Sequence, residues 1–149
     1  GDGQEFSAMR ARVDDLGING IVRFIPRLSQ KNIVFYLKEA HVCLGTFGTS
    51  GKAQRVISNK IYEYCSAGKP IITADTPAMR EQFDEKSIIF TKTGDAAALA
   101  ESLRFVSCMP REKVCKIALR GYTIFINSFT PRFIGLQFKN LLNNINEKK

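Results

Sequence analysis

Val56-Ile57-Ser58-Asn59-Lys60-Ile61-Tyr62-Glu63-Tyr64-Cys65-Ser66-Ala67-Gly68-Lys69-Pro70-Ile71-Ile72 holds a complete helix-to-strand unit in seventeen residues. Ser58 is suited to cap a helix over Asn59–Ser66, because a serine hydroxyl can accept from an otherwise unpaired first-turn N–H. Gly68 fits the left-handed position just past the helix end, where a side chain is disfavoured. Pro70–Ala74 then runs apolar, as a strand buried on both faces does.

The same alternation continues on both sides. Upstream, Phe6, Met9, Val13 and Leu16 recur at helical spacing within Gln4–Leu16. Gly17–Gly20 closes that helix, Ile21–Ile25 reads as a short strand stopped by Pro26, Asn32–Ala40 as a helix and His41–Leu44 as a second strand. Downstream, Thr76-Pro77 opens a helix with proline at its first position, and Ser87–Phe90 is a further strand. Asp95 caps a helix over 96–107, Pro110 starts one toward Ser128, and Thr130-Pro131 caps a last one reaching about Asn144. Short apolar strands separated by helices predict an α/β fold: a Rossmann-like parallel sheet with helices on both faces.

In such sheets ligands bind beyond the carboxyl ends of the strands. The segment Gly45–Ser58 leaves one of these ends, with three glycines among its first seven residues, and leads into the helix at Asn59. The N–H groups of that first turn and the helix dipole favour an anion such as a diphosphate. Lys60 adds a full charge, and the carboxylate of Glu63, one turn on, can accept two hydroxyls of a ribose. By themselves these residues indicate a phosphate or nucleotide site; a plain flexible connection is the competing reading.

The order of landmarks resembles the donor-binding, C-terminal half of the two-domain, twin-Rossmann (GT-B) glycosyltransferases of family 4. There a helix carrying Asn-Lys-x-x-Glu leads into Ala-x-Gly-x-Pro-Val-Ile, matched here by Asn59–Glu63 and Ala67–Ile72. Gly1-Asp2-Gly3 resembles the Gly-x-Gly after the second strand of that domain, and Val22-Arg23-Phe24 its third strand. Glu39–Val42, Ala78–Glu81 and Gly94–Ala100 fall where later landmarks do. The likeness spans 1 to about 107, and 110–149 fits the closing helices loosely. The resemblance implies that 1–149 form a partial nucleotide-sugar-binding domain whose first two strands, with their phosphate-binding Arg and Lys, and whose acceptor domain lie elsewhere in a longer chain. Residues 1–149 alone are then expected to be inactive and poorly stable.

The resemblance further implies a retaining hexosyltransferase that moves a sugar from a UDP- or GDP-linked donor to an acceptor hydroxyl. No cofactor and no metal is expected, and there is no D-x-D motif of the kind that holds a divalent ion in the other major glycosyltransferase fold. Carried over by position, Glu63 holds the ribose. Ser58, Asn59 and Lys60 face the diphosphate, Thr49, Ser50, Gly51 and Lys52 line the sugar, and Phe24, Ile25 and Arg27 (the Phe24–Arg27 stretch) lie beside the base. The family's first glutamate, eight positions before the second, is replaced by Arg55, suited to an acidic sugar or a phosphate or simply exposed. Surface polysaccharide or glycolipid synthesis at the cytoplasmic face of a membrane, as a peripheral protein, is the expectation that family habit supplies.

Charge offers rival readings. Residues 1–103 hold 13 cationic and 12 acidic side chains, whereas 104–149 hold 9 and 2. Lys113, Lys116 and Arg120 recur at i, i+3, i+7, a stripe that could meet nucleic acid or an anionic membrane. A nucleotide-sugar epimerase of related architecture would want acidic and histidine catalysts, and His41, the sole histidine, is read as structural. Asp14, Asp15, Asp75, Asp84 and Glu85 read as helix-end and turn residues. Cys43, Cys65, Cys108 and Cys115 form no C-x-x-C pair and read as reduced structural thiols.

Overall fold

The structure, a computed structural model, describes residues 3–25 and 27–146. Gly1, Asp2 and Pro26, which carry part of the glycine landmark, the end of the proposed first strand and part of the base-side stretch, lie outside the described residues. The chain divides into two units, 1–38 and 39–149.

The first unit contains α1 (Phe6–Asp15) and most of α2 (Gln30–Glu39). Helix α1 stops at Gly17, whose φ of 63° is open to glycine at little cost, and the N–H of Ile18 closes the turn onto the Val13 carbonyl at 3.2 Å. Phe6 meets Phe24 edge to face, 5.4 Å between ring centres. The strand expected at Ile21–Ile25 is absent. Ile21 lies in a turn, donating to Ile18 at 3.0 Å, and 22–25 join no ladder. A strand needs a neighbour to pair with, and every strand of the sheet comes from 43–91.

The second unit is the α/β body. Strands β1 (Cys43–Leu44), β2 (Ile71–Ala74) and β3 (Ile89–Thr91) form a parallel sheet in the order β1-β2-β3, with Cys43 opposite Ile71, Ile72 opposite Ile89 and Ala74 opposite Thr91. All four residues of β2 are buried. Alternate side chains point to opposite faces, so Ile71 and Ile72 belong to different cores. Ile71 packs with Ile61 and Cys65 of α4 (Asn59–Ser66), Met79 of α5 (Pro77–Arg80), Phe83 and Ile88. Ile72 packs with Ile89, Val106 of α6 (Ala96–Ser107) and Ile117 of α7 (Arg111–Ser128). Helices therefore cover both faces, as the alternation predicted, and α8 (Pro131–Asn146) packs on α7.

The punctuation residues act as their chemistry requires. Gly68, at φ 62°, donates to Cys65 at 2.9 Å while Lys69 donates to Tyr64 at 3.0 Å, which satisfies the last carbonyls of α4. Asp95 accepts from the Ala98 N–H at 3.0 Å and Thr76 from the Met79 N–H at 3.3 Å. All four thiols are free; Cys43 and Cys65 are buried, and burial pushes the Cys65 thiol up to about 12.

Two arginines tie the turns around β3 to the helices. Arg80 binds Asp75 at 2.6 and 2.8 Å, pairs with Glu85, and lies 4.0 Å over the Phe90 ring. Arg120 of α7 reaches Asp84 at 3.1 Å, and Ser87 donates to the same carboxylate at 2.8 Å. The Arg80 hydrogen bond holds Asp75 below the usual carboxylate range. For Asp84, burial pushes upward, but Ser87 and Arg120 together outweigh it and the carboxyl ends low. A carboxyl lowered by folding stabilises the fold above its unfolded pKa, and that stability is lost as pH falls through the folded value. The thermal midpoint is therefore expected to hold between about pH 7 and 5 and to fall below about pH 4. Replacing Asp75 and Asp84 by asparagine should flatten that fall; an unchanged acid profile in the double variant would show that the arginine pairs do not set it.

Candidate functional site

Three segments leave the carboxyl ends of the strands side by side: 45–50 after β1, Asp75-Thr76 after β2 and Lys92–Asp95 after β3. The first is fixed at its root by the sheet. Gly45 donates to the Ile72 carbonyl at 2.8 Å and Ala74 to the Thr46 carbonyl at 3.1 Å, so the β1–β2 ladder runs two residues beyond β1. The Thr73 hydroxyl donates to the Thr46 carbonyl and accepts from the Thr46 N–H, both at 3.3 Å. Gly45 must be glycine for lack of space, since a Cβ there would stand 2.3 Å from Thr73 Oγ1 and 2.9 Å from Ile61 Cδ1. The tip of the segment is held by the third loop, where the Gly94 N–H donates to the Phe47 carbonyl at 3.1 Å.

The stretch 45–58 is not one continuous loop. Residues Gly51–Arg55 form a short helix, α3, which packs against α5; Ser50 caps it by accepting from the Ala53 N–H at 3.2 Å. Ser50, Gly51 and Lys52 thus form the cap and first turn of α3, Thr49 stands just before them, all four are exposed, and Arg55 is the exposed last residue of the helix.

Helix α4 follows. Ile61 and Cys65, four apart, face the core, which leaves Asn59, Lys60 and Glu63 exposed on the outer side. The expected hydrogen bond of the Ser58 hydroxyl to this helix is missing. Ser58 occupies the cap position with extended backbone, but its Oγ is buried and has no partner among the described residues. A hydroxyl in that condition costs free energy unless something else satisfies it. It stands at the start of α4, where the N–H of Ile61 donates to the Ser58 carbonyl at 3.0 Å and those of Asn59 and Lys60 precede the hydrogen bonds of the first turn.

Ser58, Asn59, Lys60 and Glu63 therefore share one helix start, with Thr49–Lys52 on the preceding helix start. Phe24, Ile25 and Arg27 belong to the first unit, Phe24 half-buried against Phe6 and Arg27 exposed. Two hollows, of about 1010 and 1030 Å³, lie elsewhere, the first at the amino ends of β1 and β2 and the second beside β3; no residue of 45–63 lines either. The site is marked by strand ends and a helix start.

A model of one protein family, described as glycosyl transferases group 1, matches residues 1–116. The chain belongs to the group 1 glycosyltransferases. Among solved structures it resembles sucrose-phosphate synthase (tll1590) from Thermosynechococcus elongatus, with a TM-score of 0.79 at 18% identity over 100% of this chain and 36% of that one. Alr3699/HepE of Anabaena, solved in complex with UDP-glucose, aligns with a TM-score of 0.80 at 18% identity over 96% of this chain and 38% of that one. A glycosyltransferase from Rickettsia africae ESF-5 aligns at 0.77 and 15% over 100% of this chain and 39% of that one. No curated protein matches the chain in sequence. These likenesses establish the Rossmann-like half of the GT-B fold, and the chain spans well under half the length of each structure.

Within a group 1 glycosyltransferase the rival groups find ordinary roles. His41 is exposed at the amino end of β1, the end opposite the site. Asp75, Asp84 and Glu85 are engaged by arginines. Of the basic stripe, Lys116 pairs with Glu112 at 2.6 Å and Arg120 with Asp84, which reduces the positive face on α7. Thr73 and Gly94 were not legible as site residues, because their contacts join segments far apart in the chain; α3 was announced only by the Ser50 cap before Gly51.

Gly45→Ala is expected to move the 45–50 segment or Thr73 and to cost about 1–3 kcal/mol in denaturant unfolding, the range for overpacking. A variant as stable as the parent would show that the close approach at Gly45 is not a constraint.

Proposed function

We propose that residues 45–63 bind the diphosphate and sugar of a UDP- or GDP-linked donor, and that the protein transfers the sugar, with retention, to an acceptor hydroxyl in polysaccharide or glycolipid synthesis. The start of α4 carries the reading. It gathers first-turn N–H groups, the unpartnered Ser58 hydroxyl and Lys60 at the carboxyl end of a parallel sheet, where a diphosphate is the ligand best matched to them. Glu63, one turn further and exposed on the same outer side as Asn59 and Lys60, would accept two ribose hydroxyls. The UDP-glucose complex of the structurally similar HepE and the group 1 family support a nucleotide-sugar donor.

The α3 start would meet the sugar through Thr49, Ser50 and Lys52. Arg55, in place of the family's first acidic residue, would favour a donor with a carboxylate or phosphate, since a guanidinium binds such groups with two parallel bonds. In the transfer the bond from the sugar's anomeric carbon to the diphosphate breaks, one to the acceptor oxygen forms, and the acceptor's proton is released. The helix start and Lys60 stabilise the charge that builds on the departing diphosphate. The acceptor would be held by a further domain, a reading supported by the chain covering 36% to 39% of the similar structures.

Calorimetric titration with UDP, GDP and their sugar conjugates tests the reading. One base is expected to bind, and Glu63→Ala to weaken it about tenfold or more, the scale of lost hydrogen bonds to a charged group. Failure of the folded chain to bind any of them would sink it.

A further inference from the structure

Thr73 is almost fully buried, at 1% exposure, yet its hydroxyl is spent on another segment rather than on its own strand. It makes a reciprocal pair of 3.3 Å hydrogen bonds to the N–H and carbonyl of Thr46. The Thr46 carbonyl also accepts from Ala74 at 3.1 Å, so β2 grips this residue from two consecutive positions. Thr73 Oγ1 is also what bars a side chain at Gly45. On the other side of the same segment Gly94, at φ 67°, donates to the Phe47 carbonyl at 3.1 Å, and a Cβ on Gly94 would stand 2.6 Å from Thr49 Cγ2. The segment is clamped at its root by Thr73 and at its tip by Gly94, and Thr49 and Ser50, which lead into α3, lie directly beyond.

We propose that Thr73 is a positioning residue for the donor sugar, acting through Thr46 to set where Thr49 to Lys52 stand, with Gly94 as the opposing contact. This rests on the reading of 45–63 as a donor site. Thr73 lies behind the segment and touches it through backbone groups, so removing its hydroxyl leaves the Ser58–Glu63 helix start in place and loosens only the sugar side. A valine keeps the shape, and a serine keeps the two hydrogen bonds.

The test compares a nucleoside diphosphate with its glucose conjugate (UDP against UDP-glucose, GDP against GDP-glucose) by calorimetry on the parent chain and on Thr73→Val, Thr73→Ser and Gly94→Ala, each checked for folding by circular dichroism. Thr73→Val should weaken the sugar conjugate by about three- to tenfold, the range of one or two hydrogen bonds, and leave the free diphosphate within about twofold. Thr73→Ser should restore the parent ratio. Gly94→Ala, which disturbs the segment from its exposed side, should shift the ratio in the same direction, and it decides the matter if the valine variant does not fold. Equal weakening of both ligands, or of neither, in folded variants of a parent that binds both would overturn the positioning role while leaving the donor site standing. A parent chain that binds neither ligand would overturn the donor site and this inference with it.

Discussion

The structure depends on β2 being buried on both faces. Four consecutive residues with less than a tenth of their surface exposed, Ile71 to Ala74, leave no side of the strand for water. Ile71 and Ile72 each fill a separate core, so the helices from both sides must be in place together. Each fully buried aliphatic side chain contributes about 1.5–3 kcal/mol, which makes this short stretch a large share of what holds a modest domain. The same strand delivers Thr73, and Asp75 just after it, to the carboxyl edge, where the candidate site lies. Burial of the centre and placement of the site are thus consequences of one strand.

Legibility of the fold in the sequence followed the locality of its causes. Helix α4 lies where the sequence put it because its apolar spacing and Gly68 both act within ten residues, with Ser58 holding the cap position through its extended backbone alone. Asp95 and Thr76 announced α6 and α5 equally well, since each reaches an N–H three residues on. Ile21–Ile25 shows the opposite case. Its branched residues have strand propensity, but pairing is decided by a neighbour and not by composition. Helix α3 escaped because five residues leave no room for a periodic pattern, and a glycine-rich lead-in masks the Ser50 cap.

The candidate site divides along the same line. Ser58, Asn59, Lys60 and Glu63 were readable because a helix start is a local object with a known affinity for anions. The Ser58 hydroxyl departed from its expected role: it caps by position without bonding to the helix. Thr73 and Gly94 act across 27 and 47 positions of chain, on Thr46 and Phe47, and no residue pattern near them marks that reach. The basic stripe on α7 was sound as spacing but incomplete as electrostatics, because Asp84, which neutralises Arg120, comes from 36 positions away.

The central claim is that the start of α4 and the segment before it form the anion-binding face of this group 1 glycosyltransferase. Its most direct test is a residue-resolved titration of the isotope-labelled chain with UDP and GDP, followed through backbone amide shifts. The account predicts that one nucleotide moves the amides of Ser58 to Ile61 most, with smaller changes over 46–51 and 93–95, and leaves α7 and α8 unmoved. Shifts centred on α7 or on either hollow, with the α4 start silent, would contradict it.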